Sequence, residues 1–320
     1  MGEERKGKEN IATGASDETP ARQLSRVPLQ VHISKLPSDT SVSFKGTSFA
    51  AGDRERHLPS PAEVRSRSNG FTYPGTPPPV RFNDLNLLVK YGRQITIAEG
   101  QCLWAIRRLL TDQVPVPEVY GWCQDGGETF IYMQLIQGET LSQQWERLTS
   151  TARSDICEQL RSIIEALRQL GQDPTDQFIG CIGRQPLLDI TFSGVSDTGP
   201  FPTVQAFHDW FARLPKRGFP DLVNVLDPFR TKLPDDSPIK FTHGDLHPSN
   251  ITISLGQHPR VLAIIDWHQS GWFPAYWEYC KARLTAEPDS EWNTKYIPMF
   301  LEEQRSCYDS FEFYAGSLGY

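Results

Sequence analysis

The sequence is short of what would place it in a membrane, on nucleic acid or around a structural zinc. No apolar run approaches the ~18 residues of a membrane span. Positive charge is in deficit, with 32 Lys and Arg against 39 Asp and Glu. The net charge of −7 is the opposite of a basic nucleic-acid footprint, though it is compatible with a cationic small substrate. The six cysteines, at 102, 123, 157, 181, 280 and 307, form no C-x-x-C pair. Neither a zinc site nor a disulfide framework is therefore expected, and the thiols fit a reduced, cytoplasmic chain. The opening MGEERKGKEN lacks the apolar centre of a secretory signal, and Lys6 stands where a myristoylation signal carries Ser or Thr. What is present is a chain of 320 residues, 38% hydrophobic, enough for one large domain or two lobes.

Residues 1–57 are polar, mixed in charge and rich in Ser, Thr, Lys and Arg. Apolar islands such as Val27-Pro28-Leu29 and Val31-His32-Ile33 repeat with no period, which predicts a disordered or loosely attached extension. From Leu58 the composition tightens. Val80-Arg81-Phe82 reads as a short strand, Asn83-Asp84 as a turn and Leu85 to Lys90 as the return strand. Thr96-Ile97-Ala98-Glu99 has the T-x-x-E form of a capping box. It opens a helix to about Leu110, with Leu103, Ile106, Leu109 and Leu110 on one face. Val119 to Trp122 and Thr129 to Met133 form an antiparallel pair turned at Asp125-Gly126-Gly127. Beyond Gly138 the pattern is mainly helical. Between Thr151 and Leu170, Ile156, Leu160, Ile163, Ile164, Leu167 and Leu170 fall on one stripe that belongs against a core. A second helix from near Thr203 carries Phe207, Trp210 and Phe211, which either wall a substrate cleft or line the core.

The chemistry is concentrated in FTHGDLHPSNI, Phe241 to Ile251. An apolar approach through Ile239 and Phe241 ends in His243-Gly244-Asp245, and a turn leads to Asn250 and the strand-like Ile251-Thr252-Ile253. The next apolar run, Val261 to Ile265, delivers Asp266. A carboxylate fixed in a loop, Asp245, can orient and deprotonate an acceptor hydroxyl. Magnesium prefers hard oxygen ligands and keeps several waters, so one amide oxygen and one carboxylate, Asn250 and Asp266, suffice to hold it. The set suits phosphoryl transfer. Its spacing is that of the kinase loop H-R-D-x-x-x-x-N, with Gly for Arg.

HGDLHPSN, followed by IIDW ending at Trp267 and YWEY at Tyr276 to Tyr279, resembles the aminoglycoside phosphotransferase family and is spelled most like its fungal members. The resemblance covers about residues 58–285. It implies an α+β, protein-kinase-like fold of two lobes. The N-lobe, residues 58–135, would be a small antiparallel sheet with one helix. The C-lobe, residues 136–320, would be larger and mainly helical. ATP and Mg2+ are the implied cofactors and a small hydroxyl-bearing molecule the implied acceptor, with no nucleic-acid or membrane partner. Lys90 aligns with the strand lysine that pairs the nucleotide's phosphates, and Glu99 with the helix glutamate that holds it; helix capping is the other reading of Glu99. Met133, Gln134 and Leu135 fall at the hinge, where backbone groups meet the adenine. Asp245 takes the catalytic position, Asn250 and Asp266 the metal positions. His243 is assigned to bracing the loop.

The pattern departs from the family above Lys90. No G-x-G-x-x-G precedes it; that window offers Gly70 and Gly75 among prolines. The Asn83-Asp84 hairpin would have to cover the phosphates, or the upper lobe is abbreviated. Gln134 replaces the acidic residue common at the hinge. Two alternatives stand beside the kinase reading. One is a pseudokinase-like binding protein with little turnover. The other is a metal-dependent hydrolase, with His243, Asp245 and His247 on one strand face and Asp266 and His268 on another, where period two would gather imidazole and carboxylate for zinc. Glu278 either packs or faces the acceptor.

Overall fold

A computed structural model of the chain describes residues 1–2, 29–51, 56–68, 77–217, 221 and 225–319. The upper part contains β1 (Leu29–Gln30), β2 (Ser41–Ser43), α1 (Pro61–Arg67), β3 (Val80–Phe82), β4 (Leu87–Gly92), α2 (Ile97–Leu109), β5 (Val119–Asp125) and β6 (Glu128–Gln134). Five of the strands form an antiparallel sheet in the order β2-β5-β6-β4-β3. Alternation along β4 sorts its side chains. Leu87, Val89 and Tyr91 pack with Val64 of α1, Phe49, Phe130 and Tyr132 on the outer face. Lys90 therefore points to the inner face, where α2 lies. The β5–β6 hairpin closes on Gly126 and Gly127, both left-handed at φ 60° and 78°, as the Asp-Gly-Gly signal requires.

The lower part contains β7 (Glu139–Thr140), α3 (Leu141–Gln144), α4 (Ser150–Leu167), β8 (Leu170–Gly171), α5 (Val204–Arg213), β9 (Ile239–Thr242), β10 (Ile251–Ile253), β11 (Val261–Ile264), β12 (Gly271–Pro274), α6 (Trp277–Leu284), α7 (Ile297–Phe300) and α8 (Arg305–Gly316). Helix α4 buries the predicted stripe of Ile156, Leu160, Ile163, Ile164 and Leu167. On α5, Phe207 and Phe211 are fully buried and Trp210 packs edge-on against Phe192, so this aromatic face belongs to the core. A single apolar cluster runs from α2 and β6 through α4 to Trp267, Trp272 and Trp277. Two antiparallel pairs organise this stretch: β10 and β11 form a hairpin, and along the chain it is nested between β9 and β12, which pair with each other. No helix among the described residues is long and apolar enough to cross a membrane.

The predicted loose extension needs correction where it is described. Residues 29–51 clasp both parts of the fold. β1 pairs in parallel with β8 below, and β2 pairs with β5 at the edge of the upper sheet. Between them, Gln101 of α2 donates to the Pro37 carbonyl at 2.8 Å and the Trp122 indole donates to the Asp39 carbonyl at 2.9 Å. Within 29–51, Val31 and Leu36 are buried in the main core and Phe49 in the outer cluster of the upper sheet. Residues 3–28 and 52–55 lie outside the described residues.

Candidate active site

Three of the expected residues meet at one ammonium group. Lys90 Nζ lies 2.8 Å and 3.0 Å from the two carboxylate oxygens of Glu99 and 2.8 Å from Asp266 Oδ1. Glu99 is 1% exposed and Lys90 14%, whereas the Asp266 side chain is 45% exposed. Burial works against the Lys90 charge, but Glu99 and Asp266 outweigh it and push its pKa up. Burial likewise raises Asp266, and the Lys90 ammonium more than reverses this, leaving the carboxyl below its ordinary range.

The capping reading of Glu99 fails. Thr96 is the N-cap of α2 but makes no side-chain cap bond, and its buried hydroxyl has no partner among the described residues. A buried carboxylate gains more from an ammonium than from a neutral backbone donor, so Glu99 turns to Lys90.

Asp245 and Asn250 sit in the loop between β9 and β10. Asn250 Nδ2 donates to the Asp245 carbonyl and to Asp245 Oδ2, each at 2.9 Å. Its carboxamide is thereby oriented, with the oxygen turned away from Asp245. The Ile265 amide donates to the Asn250 carbonyl at 2.9 Å, which ties this loop to the one bearing Asp266. His243 braces the same turn. Its Nδ1 accepts the Asp245 N–H at 3.1 Å, so its ring proton sits on Nε2, 3.0 Å from the Ile265 carbonyl. Gly244 has φ 79°, and a Cβ there would lie 2.9 Å from the Gln269 carbonyl. Only glycine fits that position, a physical reason for HGD in place of HRD.

Asp266 follows β11 in a left-handed conformation, φ 63°, at the start of a tight turn Trp267–Gln269. Trp267 is buried, donates to the Ile264 carbonyl at 2.9 Å and meets the His243 ring edge-on at 4.6 Å. The strand placement needed for a zinc hydrolase is not found. β9 ends at Thr242, His243 is committed to its own loop and His247 Nδ1 lies 2.9 Å from the Ser249 hydroxyl. Among the described residues no three His, Cys, Asp or Glu side chains converge as a metal cage.

One of the two alternatives for covering the phosphates is not met. The Asn83-Asp84 turn does not approach Lys90. Leu87 pairs with Gln134 and Lys90 with Ile131, so the turn lies at the hinge end, roughly 10 Å along the strand from Lys90. There Asn86 accepts the Leu135 N–H at 3.0 Å, and its side chain accepts from Gln137 at 3.2 Å. Gly70 and Gly75 lie outside the described residues. At the hinge itself, Met133 is buried in the main core. The amides of Gln134 and Leu135 are both engaged, with the Glu118 and Asn86 carbonyls.

The model of the phosphotransferase enzyme family matches residues 98–314. The chain belongs to this phosphotransferase enzyme family. No curated protein matches it. Among solved structures, it is similar to the streptomycin–ATP ternary complex of APH(2")-IIa, at 12% identity over 82% of this chain and 93% of that one, with a TM-score of 0.50. It is also similar to APH(3'')-Id from Streptomyces rimosus with ADP and streptomycin, at 18% identity, 76% and 90% coverage and a TM-score of 0.45. An apo thermostable mutant of APH(4)-Ia matches at 15% identity, 78% and 80% coverage and a TM-score of 0.46. The first of these carries the fold assignment, a protein-kinase-like α+β architecture with an antiparallel upper lobe and a mainly helical lower lobe.

Two further residues border this candidate site, and the sequence left their roles open. Glu278, on α6, is fully buried and does not face the acceptor. Its carboxylate accepts the amides of His243 at 2.6 Å and Gly244 at 3.0 Å, pinning the loop that bears Asp245. Burial raises its pKa against the opposing pull of His243 and the two amides. The one sequence signal was an acid inside the aromatic run YWEY, where packing alone has no use for a charge. His268 lies within electrostatic reach of Glu99, Lys90 and Asp266. Burial lowers its pKa, and its Nδ1 has no partner among the described residues.

Proposed function

We propose that this phosphotransferase moves the terminal phosphoryl group of ATP to a hydroxyl of a small molecule, with Mg2+ as cofactor. The observation that carries the reading is the position of Lys90, 2.8 Å from both Glu99 and Asp266 although Asp266 is 176 positions further along the chain. Asn250 and Asp266 would hold the metal. Their donor set fits it, one amide oxygen left free by the Asn250 bonds to Asp245 and one half-exposed carboxylate. When bound, the ion would neutralise charge on the phosphates.

The protein's own groups do the rest. Glu99 keeps Lys90 extended toward the cleft. Asp266, half-exposed beside Lys90, would be the carboxylate that holds the metal. Lys90 meets phosphate oxygens. Asp245, held by Asn250 and by the His243 and Glu278 bracing, accepts a hydrogen bond from the acceptor hydroxyl and takes its proton as the new O–P bond forms. Positioning and charge neutralisation supply most of the rate. An adenine at the hinge would have to use carbonyls or a later amide, because those of Gln134 and Leu135 are committed within the sheet. We take the lobes to divide near residues 135 and 136.

The lack of a glycine-rich motif before Lys90 favours a second reading, a nucleotide-binding protein with little turnover. One pair of variants tests both. Thermal shift with magnesium ATP reads binding, and ATP consumption against a panel of hydroxyl compounds reads transfer. Asp266→Ala is expected to abolish the magnesium-dependent shift. Asp245→Asn is expected to keep it and to lose transfer. Equal loss of binding in both would mean that the roles are misassigned; wild-type binding without consumption would select the second reading.

A further inference from the structure

Among the described ion pairs, that between Lys281 and Asp189 is the one with no exposed surface on either side chain. Lys281 Nζ on α6 lies 2.7 Å from Asp189 Oδ1, 3.1 Å from the Thr191 hydroxyl and 3.3 Å from Gln269 Oε1. The other Asp189 oxygen accepts the Trp277 indole N–H at 2.9 Å, and the Thr191 amide donates to Oδ1 at 2.9 Å. Gln269 Oε1 is shared, for it also accepts the Ile190 amide at 2.9 Å.

Three pieces of chain meet in this network. One is the turn Ile190–Phe192. The second is the turn Trp267–Gln269, directly after Asp266. The third is α6, which also carries Glu278. Gln269 continues the contact to the Asp245 loop, since its carbonyl occupies the space that a Gly244 Cβ would need. Stability alone does not account for such an arrangement. Well-packed apolar residues commonly replace a buried ion pair without loss, and what a satisfied pair adds is registry.

We propose that Lys281, Asp189 and Gln269 form a positioning device for phosphoryl transfer. They lock the Ile190–Phe192 turn and the Asp266 turn against Gly244, so that Asp245 and Asp266 keep a fixed separation. The functional half of this inference rests on the phosphotransferase reading; the coupling of the loops does not.

Gln269→Leu removes the oxygen shared by Ile190 and Lys281, and Gln269→Glu retains one. Two readouts are compared with wild type: amide hydrogen exchange over residues 189–193 and 243–246, and steady-state ATP hydrolysis with magnesium ATP and water as acceptor. In Gln269→Leu, exchange is expected to rise in both segments. The kcat for hydrolysis is expected to fall about tenfold or more, with KM for magnesium ATP within about twofold. Gln269→Glu is expected to restore both readouts. Faster exchange confined to 189–193 with unchanged hydrolysis would overturn the proposal, as would a Gln269→Glu variant no better than Gln269→Leu. If Gln269→Leu does not fold, the Asp189→Leu/Lys281→Met double variant removes the same tie with an apolar pair and is read in the same way. A wild-type protein that neither gains stability with magnesium ATP nor hydrolyses it would sink the phosphotransferase reading; the exchange data would still decide the coupling of the two loops.

Discussion

Replacing Lys90 with Met separates what the Lys90–Glu99 pair does for the fold from its proposed role toward nucleotide. The substitution keeps most of the side-chain volume and leaves the Glu99 carboxylate, 1% exposed, without its ammonium. Removing one partner of a buried pair costs ~3–5 kcal/mol. Loss of the Asp266 contact adds little, because that side chain is 45% exposed and water replaces the partner. At ~2.1 cal/mol/K per residue, a chain of 320 residues unfolds with an entropy of about 0.7 kcal/mol/K, so the loss corresponds to roughly 4–7 °C in Tm. The double variant Lys90→Met/Glu99→Leu removes the orphaned charge and is expected to recover most of that loss. Neither variant is expected to show the stabilisation by magnesium ATP that is predicted for the wild type. Thermal unfolding with and without magnesium ATP measures all of these. The reasoning is refuted if the single variant melts within about 1 °C of wild type, or if the double variant is no more stable than the single.

Glu278→Gln preserves shape but leaves one oxygen for two amides. A buried unpaired N–H costs about 1–3 kcal/mol, so the midpoint of denaturant unfolding should fall while the magnesium ATP shift persists. Misplacement of Asp245 should lower turnover by up to ~100-fold, read as ATP consumption. The stability difference between wild type and Asp266→Asn should depend on pH. Asp266 is lowered in the folded state, so its contribution is present above its ordinary value of 3.8 and is lost as pH falls through the folded value. Lys90 is raised, so its contribution is full below 10.5 and is lost as pH rises through the folded value. Unfolding midpoints measured across pH should therefore show a plateau at neutral pH and convergence of the two proteins in acid. Deleting residues 1–40 removes β1 and the Pro37 and Asp39 carbonyls that hold Gln101 and Trp122. Hydrogen exchange along α2 should then quicken, and apparent affinity for magnesium ATP should weaken.

Much of this protein follows from rules that act over a few residues. The spacing of Asp245 and Asn250, the glycine between His243 and Asp245, the hairpin at Gly126 and Gly127 and the stripe on α4 were legible because their partners lie within one turn or one period. Local rules failed where a distant group offered a stronger interaction. Thr96 and Glu99 spell a capping box, yet Lys90 takes the carboxylate, because charge pairing in a buried setting exceeds a neutral cap. Asn83-Asp84 reads as a turn from its own residues, but its distance from Lys90 does not. Its place depends on the register of β4 against β6, which is set by which side chains the sheet buries.

Sequence by itself determined the residue types that can bind a metal, accept a proton and neutralise phosphate, together with the short elements that carry them. Only the tertiary structure decided that Lys90 reaches Asp266, that Glu278 holds the His243 and Gly244 amides and that residues 29–51 bind both lobes. These contacts join segments far apart along the chain. Periodicity and capping record each segment's own preference, whereas such pairings emerge when the shared core closes and buried polar groups must find whichever partners the packing brings near.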